Sequence, residues 1–567
     1  MRLKILFCSA GFLQHIIGEK LRKNLIVLFL VFSFVLPSAV FAQTAPAVKI
    51  TAKEKQMAEA ITAEQLKQFL YFVASDEMEG RDTPSRGLDL TAKFIALMLE
   101  RWKFKPAGDD GTFFQKLALK SESIDAVNTV LKIGDESFKL NDDFFRLTGN
   151  GSANAPMVFG GGGWMVKSKN IDALAGVDVK GKIVVLYGEG FPNPNRLTPL
   201  PQGVTQADLT GENGNDWADP LKNAAQKGAV GVILVASPQI QAAWGQLRNF
   251  LSRGAMYPEK LREGGGDLST PFPVMLVSAK VGDAIFAGAS ADKTSPNAFE
   301  IGKQASMNST SRVEMKSTQN VVAVWEGSDP VLKNEYVAIG AHYDHDGVNP
   351  NARGEDKIWN GADDDGSGTV AVLAIAEALA RSNTRPKRSI LFVWHAGEEK
   401  GLWGSQYFNK FPTVDIKNVV AQLNIDMIGR SKKDGDTNPK NAELSGPNEI
   451  YVIGSEMMST TLGAVTKAVN SGYLNMTYNY KYDDPKDPNR FFFRSDHFHY
   501  AANGIPIVFW FDGVHEDYHQ PSDHPDKIDY EKMEKVTRTI FLTLWKIAEL
   551  KQRPAVDKQL PPELTQR

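Results

Sequence analysis

"EYVAIGAHYDHDG", residues 335–347, joins two kinds of sequence. Tyr336 to Ala341 is a short apolar run with Val337 and Ile339, which reads as a buried strand and is too brief for a helix. Directly behind it stand His342, Asp344, His345 and Asp346, side chains that bind cations or move protons. The pairing recurs downstream. "SILFVWHAGEE" (389–399) ends in Glu398 and Glu399, and "VVAQLNID" (419–426) ends in Asp426. "GIPIVFWFDG" (504–513) leads into "VHEDYHQPSDHPD" (514–526) with His515 and His519. Between the first two lies "NGADDDGSG" (360–368), which opens the run "GSGTVAVLAIAEALARS" (366–382). From Gly368 to Ala380 the only charge is Glu377, so this run predicts a helix buried almost all round. Apolar strands alternating with helices imply a mainly parallel sheet covered on both faces. Ligands of such sheets sit beyond the carboxyl ends of the strands, which is where each cluster falls.

Upstream, helical spacing is carried by Leu66, Phe69 and Leu70, and then by Leu90, Phe94 and Leu97. "GTFFQKLAL" (111–119) reads as a strand, and residues 43–60 read as a polar leader. Composition changes near Asn150. From 152 to 315 the chain has Gly-rich turns, β runs such as "KIVVLYG" and "GVILVAS", and a short helix "PLKNAAQKG" between them. This predicts a β-rich α+β domain set into the larger one. The expected division is a signal segment at 1–42, the first part of the main domain at 43–151, the insert at 152–315, the main domain at 316–552 and a loose tail at 553–567.

Lys20, Arg22 and Lys23 precede the apolar run Leu25 to Leu36, and Ala42 supplies a small residue for cleavage. That pattern is a secretory signal. The run is well short of the roughly 20 residues that a spanning helix needs, so the expectation is an exported chain, periplasmic or extracellular, with no membrane span after cleavage. The only cysteine, Cys8, leaves with the signal, so neither a disulfide nor a thiol nucleophile is expected. The remainder carries 59 Lys and Arg against 66 Asp and Glu, and nothing in it points to nucleic acid.

Eight of the nine histidines lie between His342 and His524, so the chemistry belongs to the last domain. A lone histidine at a strand end is ordinarily structural, and an acidic run before a helix ordinarily caps it. Ligand-type residues at successive strand ends argue instead for convergence on a cation. Nitrogen and oxygen donors without thiolate suit zinc, with cobalt or manganese as substitutes. Two ions held close together need a shared carboxylate between them. Spacing does not decide which of Asp363, Asp364 and Asp365 that is.

The motifs "HYDHDG", "NGADDDGSG", "AGEEKGLWGS", "NIDMIG" and "DYHQPSDHPDKID" resemble, in type and order, those of the secreted co-catalytic di-zinc aminopeptidases. That family also holds glutamate carboxypeptidase, the transferrin receptor and glutaminyl cyclase. The resemblance is strong over 320–550 and looser over 62–150, and 152–315 resembles the protease-associated insert of some members. It implies a zinc-exopeptidase α/β fold, two zinc ions as cofactors, and peptide substrates cut at their N-termini. It implies His342 and Asp426 on one ion, Glu399 and His519 on the other, and Asp364 bridging. It further implies Glu398 as general base, Asp344 orienting His342, and Tyr518 donating to the oxyanion. Arg494, in "RSDHFHY", is a candidate substrate contact, while Asp496 and His497 read as support. His345, His395, His499 and His524 receive no role beyond structural support, with His395 a candidate for the floor of the site. The insert can restrict substrate size, mediate a homodimer, or both. Two alternatives stay open: a carboxypeptidase on the same scaffold, for which "RFFFR" and Lys400 offer cations, and a non-catalytic receptor-like homologue, which would be expected to lack metal ligands.

Overall fold

The computed structural model describes residues 48–190, 196–252, 254–262 and 270–565. The expected signal segment, 1–42, lies outside the described residues. In chain order the main domain consists of α1 (Ala52–Glu59), α2 (Ala63–Val73), α3 (Arg86–Arg101), β1 (Phe114–Ile124), β2 (Ala255–Pro258), β3 (Ser311–Trp325), β4 (Tyr336–His342), α4 (Gly368–Ser382), β5 (Ser389–His395), α5 (Trp403–Lys410), β6 (Val419–Ile425), β7 (Glu449–Ile453), α6 (Thr460–Gly472), β8 (Thr477–Asn479), α7 (His497–Ala502), β9 (Ile507–Phe511) and α8 (Tyr530–Glu549).

The strands form one mixed sheet in the order β2-β1-β3-β5-β4-β6-β9-β7-β8, with Lys105–Pro106 also paired to β3. Its centre, β5-β4-β6-β9, is parallel. β3 and β7 flank that centre in the antiparallel sense. Successive strand side chains point to opposite faces, and here both faces are apolar. Val321, Ala323, Val337, Ile339 and Ala341 pack under α2, α3, α4 and α8. Val322, Val324, Ala338, Leu391 and Val393 pack against Phe408 of α5, Phe498 and Tyr500 of α7, and Phe491 to Phe493. Each fully buried aliphatic side chain contributes about 1.5–3 kcal/mol, and α4, with Val370 to Ala376 all buried, is the densest helix of the first layer. Among the described residues no helix is long and apolar enough to cross a membrane.

A second, eight-stranded sheet runs in the order 136–138, 130–133, 299–309, 151–159, 183–186, 231–235, 274–277, 144–148. It has an apolar cluster on each face. Three of its strands precede residue 150, so the sheet begins at Val130 and not at the composition change. The early strands are short and half polar, and only their pairing with Phe299–Ser309 and Val274–Val277 reveals their membership.

Two terminal expectations are corrected. Residues 43–60 are not merely a polar leader: α1 starts at a reciprocal capping box between Thr51 and Glu54, and Glu54 Oε1 meets Lys546 Nζ of α8 at 2.6 Å. The tail is docked rather than loose. Asp557 Oδ1 accepts the Thr460 N–H at 2.9 Å, capping α6, and Leu564 is buried against the second face of the sheet. Sparse anchors in a Pro- and Gln-rich stretch give no periodic signal, so the sequence alone could not reveal the docking.

Candidate metal centre

His342 is the last residue of β4 and is in register with His395 on β5. Asp426 directly follows β6, and Glu398 and Glu399 sit three and four residues beyond β5. His519 lies in the loop after β9 with a left-handed backbone (φ 52°). Parallel strands with a common direction therefore bring all of these to one end of the sheet.

The three aspartates of "NGADDDGSG" are all buried, and each has a different job. Asp365 Oδ1 accepts the Gly368 N–H at 2.9 Å and the Met427 N–H at 3.2 Å, which caps α4 and ties it to the loop after β6. A Cβ at position 368 would stand 2.3 Å from that carboxylate oxygen, hence the glycine. Asp363 Oδ1 accepts the Gly429 N–H at 2.7 Å, and its other oxygen lies 3.2 Å from His515 Nε2. Asp364 alone points into the site. Its Oδ1 is 3.2 Å from His342 Nε2, and its Oδ2 is 3.1 Å from His519 Nε2. Gly361 opens the turn with a left-handed backbone (φ 54°) that any larger residue would strain, and its Cβ would strike the Asp364 carbonyl at 2.3 Å.

Two donor groups share Asp364. In the first, His342 Nε2 is also 3.6 Å from Asp426 Oδ1. In the second, His519 Nε2 is also 3.3 Å from Glu399 Oε2. His342 Nε2 and Asp364 Oδ2 are buried without a hydrogen-bond partner. Imidazole nitrogens and carboxylate oxygens converging within 4.8 Å, with lone pairs that no donor satisfies, fit a divalent cation of the zinc type. The charge distribution agrees. Burial alone would raise the Asp364 carboxyl, but the facing His342 and His519 hold it well below the usual carboxylate range. Burial opposes a charge on His342, yet Asp426, Glu398 and Asp364 together raise it well above an ordinary histidine.

Glu398 faces the first group, with its Oε2 4.0 Å from His342 Nε2. Burial pushes its carboxyl well above the usual range; His342 offsets part of this, and Glu399, Asp426 and Asp496 add to it. Asp344 meets His342 differently from the expectation. Its main-chain carbonyl, not its carboxylate, is within hydrogen-bond reach of His342 Nδ1, at 3.1 Å against 3.8 Å. The carboxylate instead accepts the Glu398 N–H at 3.1 Å. One residue thus sets both the imidazole and the main chain that carries Glu398.

Sequence reasoning passed over Arg81. Its side chain is fully buried and donates to the carbonyls of Tyr343 (3.0 Å), Val73 (2.9 Å), Asn360 (2.7 Å) and Gly361 (2.8 Å). It therefore ties the loop that follows His342 to the turn that precedes Asp364. Burial pushes its guanidinium down to about 10, against the raising effect of Asp344, Asp365, Asp523 and Asp364. A lone Arg after "MEG" carries no periodic signal.

A cleft opens over the donors. Asp364, Glu398, Asp426 and His519 line it, together with Met427, Phe491, Phe509, Phe511 and Val514. Tyr518 and Arg494 share the rim, with Arg494 Nη2 donating to the Tyr518 hydroxyl at 3.0 Å. Lys400 is paired with Asp82 at 2.7 Å. His524 pairs with Asp356 at 3.0 Å, away from the donors. His395 lies beneath the site, 3.3 Å from Asp496 and 3.1 Å from the Tyr500 hydroxyl.

His497 is buried and stacks on Phe509, with ring centroids 4.5 Å apart. Burial dominates and pushes its pKa down to about 3, against the raising effect of Asp496. In the unfolded chain the value is about 6.5. A depressed folded value gives stability that is complete above pH 6.5 and is lost as the pH falls toward 3. Lowering the pH from 6.5 to 5 is expected to cost about 2 kcal/mol through this one group. His497→Phe, which keeps the stack, is expected to remove that share of the loss, as urea unfolding at the two pH values will read. An unchanged pH slope would contradict it.

Leupeptin-inactivating enzyme 1 of Streptomyces exfoliatus is 37% identical over 113 residues, covering 19% of this chain and 22% of that protein. Probable leucine aminopeptidase 2 of Aspergillus fumigatus is 32% identical over 210 residues, covering 36% of this chain and 35% of that one. Among solved structures, an aminopeptidase from Aneurinibacillus sp. strain AM-1 aligns at 18% identity and a TM-score of 0.47, over 89% of this chain and 98% of that one. The aligned stretches span from about a fifth to just over half of the curated relatives' lengths. Residues 320–544, the part that carries every donor described above, match the model of peptidase family M28.

Proposed function

We propose that this protein is an exported zinc-dependent aminopeptidase that binds two zinc ions and releases N-terminal residues from peptides. The observation that carries the reading is the orientation of Asp364, with one oxygen toward His342 and the other toward His519. A carboxylate so placed would serve two cations: His342 and Asp426 would complete one site, and Glu399 and His519 the other. Bound there, zinc supplies Lewis acidity, which lowers the pKa of water and polarises a carbonyl. Glu398 accepts the proton of the attacking water on its carboxylate and returns it to the leaving amine. Its main chain is pinned by Asp344, so the carboxylate has a fixed origin from which to work. The Tyr518 hydroxyl, held by Arg494, donates to the oxyanion of the tetrahedral intermediate. The carboxylates around the donors suit the substrate's α-ammonium. The second sheet contributes none of the donors and is read as an accessory insert of the protease-associated type.

The wall of Met427, Phe491, Phe509, Phe511 and Val514 takes an apolar first side chain. A charged one would lose solvation against these side chains. Peptides beginning with Leu, Met or Phe are therefore expected to be cleaved at least about tenfold faster, in kcat/KM, than those beginning with Glu or Lys. Arg494 at the rim favours a second reading, capture of a substrate carboxylate by a carboxypeptidase. A panel of free, N-blocked and C-amidated peptides, with and without chelator, separates the two. Release from free N-termini that chelator stops supports the aminopeptidase. Cleavage of N-blocked peptides at their C-termini overturns it.

A further inference from the structure

The segment His342 to Asp346 does more than supply one donor. His345 is fully buried, and its Nδ1 lies 2.8 Å from Glu399 Oε1. The other oxygen of Glu399, Oε2, faces His519 Nε2 at 3.3 Å. The two oxygens of Glu399 thus have different partners. His345 Nδ1 stands 4.0 Å from Asp364 Oδ2. That is wider than the 3.1 Å and 3.3 Å edges joining His519 to Asp364 and Glu399, although His345, Asp364 and Glu399 still lie within one metal-sized group. One residue on, Asp346 Oδ2 lies 3.3 Å from His519 Nδ1, the ring nitrogen turned away from the donors.

We propose that His345 and Asp346 are positioning residues for the second metal site alone. His345 donates from Nδ1 to Glu399 Oε1, leaving Oε2 as the single donor oxygen of that carboxylate. Asp346 accepts from His519 Nδ1–H, which fixes the tautomer with a free lone pair on Nε2. Partners of this kind orient metal-binding side chains and raise their basicity, and losing one weakens metal binding about 10–100-fold. Asp344, in the same loop, serves the first group through His342 and Glu398. Three consecutive residues, Asp344 to Asp346, therefore divide their support between two sites, and the sites should be separable by substitution.

This inference rests on the two-ion reading above, and the test keeps the two apart. Full-length wild type, His345→Phe, His345→Gln and Asp346→Asn are dialysed against zinc buffered by graded chelator. Bound zinc per chain is then measured by mass spectrometry of the metal, and the fold is checked by melting of the metal-free forms. Wild type is expected to hold two ions. His345→Phe, which keeps the ring but has no donor, is expected to hold one tightly and the other 10–100-fold more weakly. His345→Gln, which restores a donor, is expected to recover most of that loss. Asp346→Asn, at an exposed position, is expected to weaken the same ion without touching the core. Cobalt(II) in place of zinc should show loss of one visible absorption component in His345→Phe and not of both. Fewer than two ions on wild type overturns the two-ion reading and this one with it. Two ions on wild type, with His345→Phe and Asp346→Asn both unchanged or both losing the two ions equally, overturns this inference alone.

Discussion

Asp364→Ala is expected to abolish turnover and metal binding together. The side chain is the one group shared by both donor sets, so no conservative loss is open to it. Removing the metal-dependent stabilisation of charge forfeits several kcal/mol in the transition state, on the order of a ten-thousandfold in kcat/KM. Misfolding is a rival explanation, and melting curves distinguish it. A ligand that binds only the folded chain raises its stability by mass action. Wild type should therefore melt higher with zinc than without. Asp364→Ala should melt at one temperature in both conditions, because it no longer binds the ligand that raises the wild type. Turnover within tenfold of wild type, or a zinc-dependent rise in melting temperature of normal size, would remove Asp364 from the bridging role. Asp363→Ala and Asp365→Ala make useful contrasts. Their carboxylates hold main-chain N–H groups of Gly429, Gly368 and Met427, so their loss should cost stability before it costs metal.

Glu398→Gln should separate chemistry from binding. Glutamine has the same shape and still presents an oxygen, but it cannot take a proton from water. The loss of general base catalysis is expected to lower kcat on the order of a thousandfold, with KM and bound zinc unchanged. The main-chain N–H of residue 398 stays on Asp344 in the variant, so Glu399 keeps its place. Loss of zinc alongside activity would make Glu398 a ligand rather than a base, and near-normal kcat would leave the proton to another group. Asp344→Asn offers a check on the pinning argument. The amide oxygen can still accept from Glu398 N–H, and the carbonyl to His342 Nδ1 is untouched, so its effect should be much smaller than that of Glu398→Gln.

Much of the site could be read before any fold was known, for a physical reason. A parallel sheet forces its strands to be continuous apolar runs and its ligands to follow their carboxyl ends. "YVAIGAH", "SILFVWH" and "VVAQLNID" declare both facts in the linear order of residues. The donors His342, Asp364, Glu399, Asp426 and His519 converge because each stands just past such a run or in the turn after one. The buried helix after "ADDDG" was equally plain, since a stretch with one charge in thirteen residues has no face for water.

Other features depend on what meets what across long sequence separations. Arg81 acquires its role from carbonyls more than 260 residues away. His345 looked structural because its partner, Glu399, lies 54 residues on and the spacing carries no rule. The second sheet begins at Val130 because antiparallel pairing with Phe299–Ser309, not local composition, recruits the early strands. The docked tail depends on scattered anchors, among them Arg553 on Glu335, the Asp557 cap and buried Leu564. The three aspartates are the clearest case. Residue order says that anions are crowded before a helix, and that is all it determines. Which carboxylate faces the cleft is decided by the turn at Gly361 and by the N–H groups that claim Asp363 and Asp365. Backbone donors capture two of the three, and the one left without them points at the imidazoles.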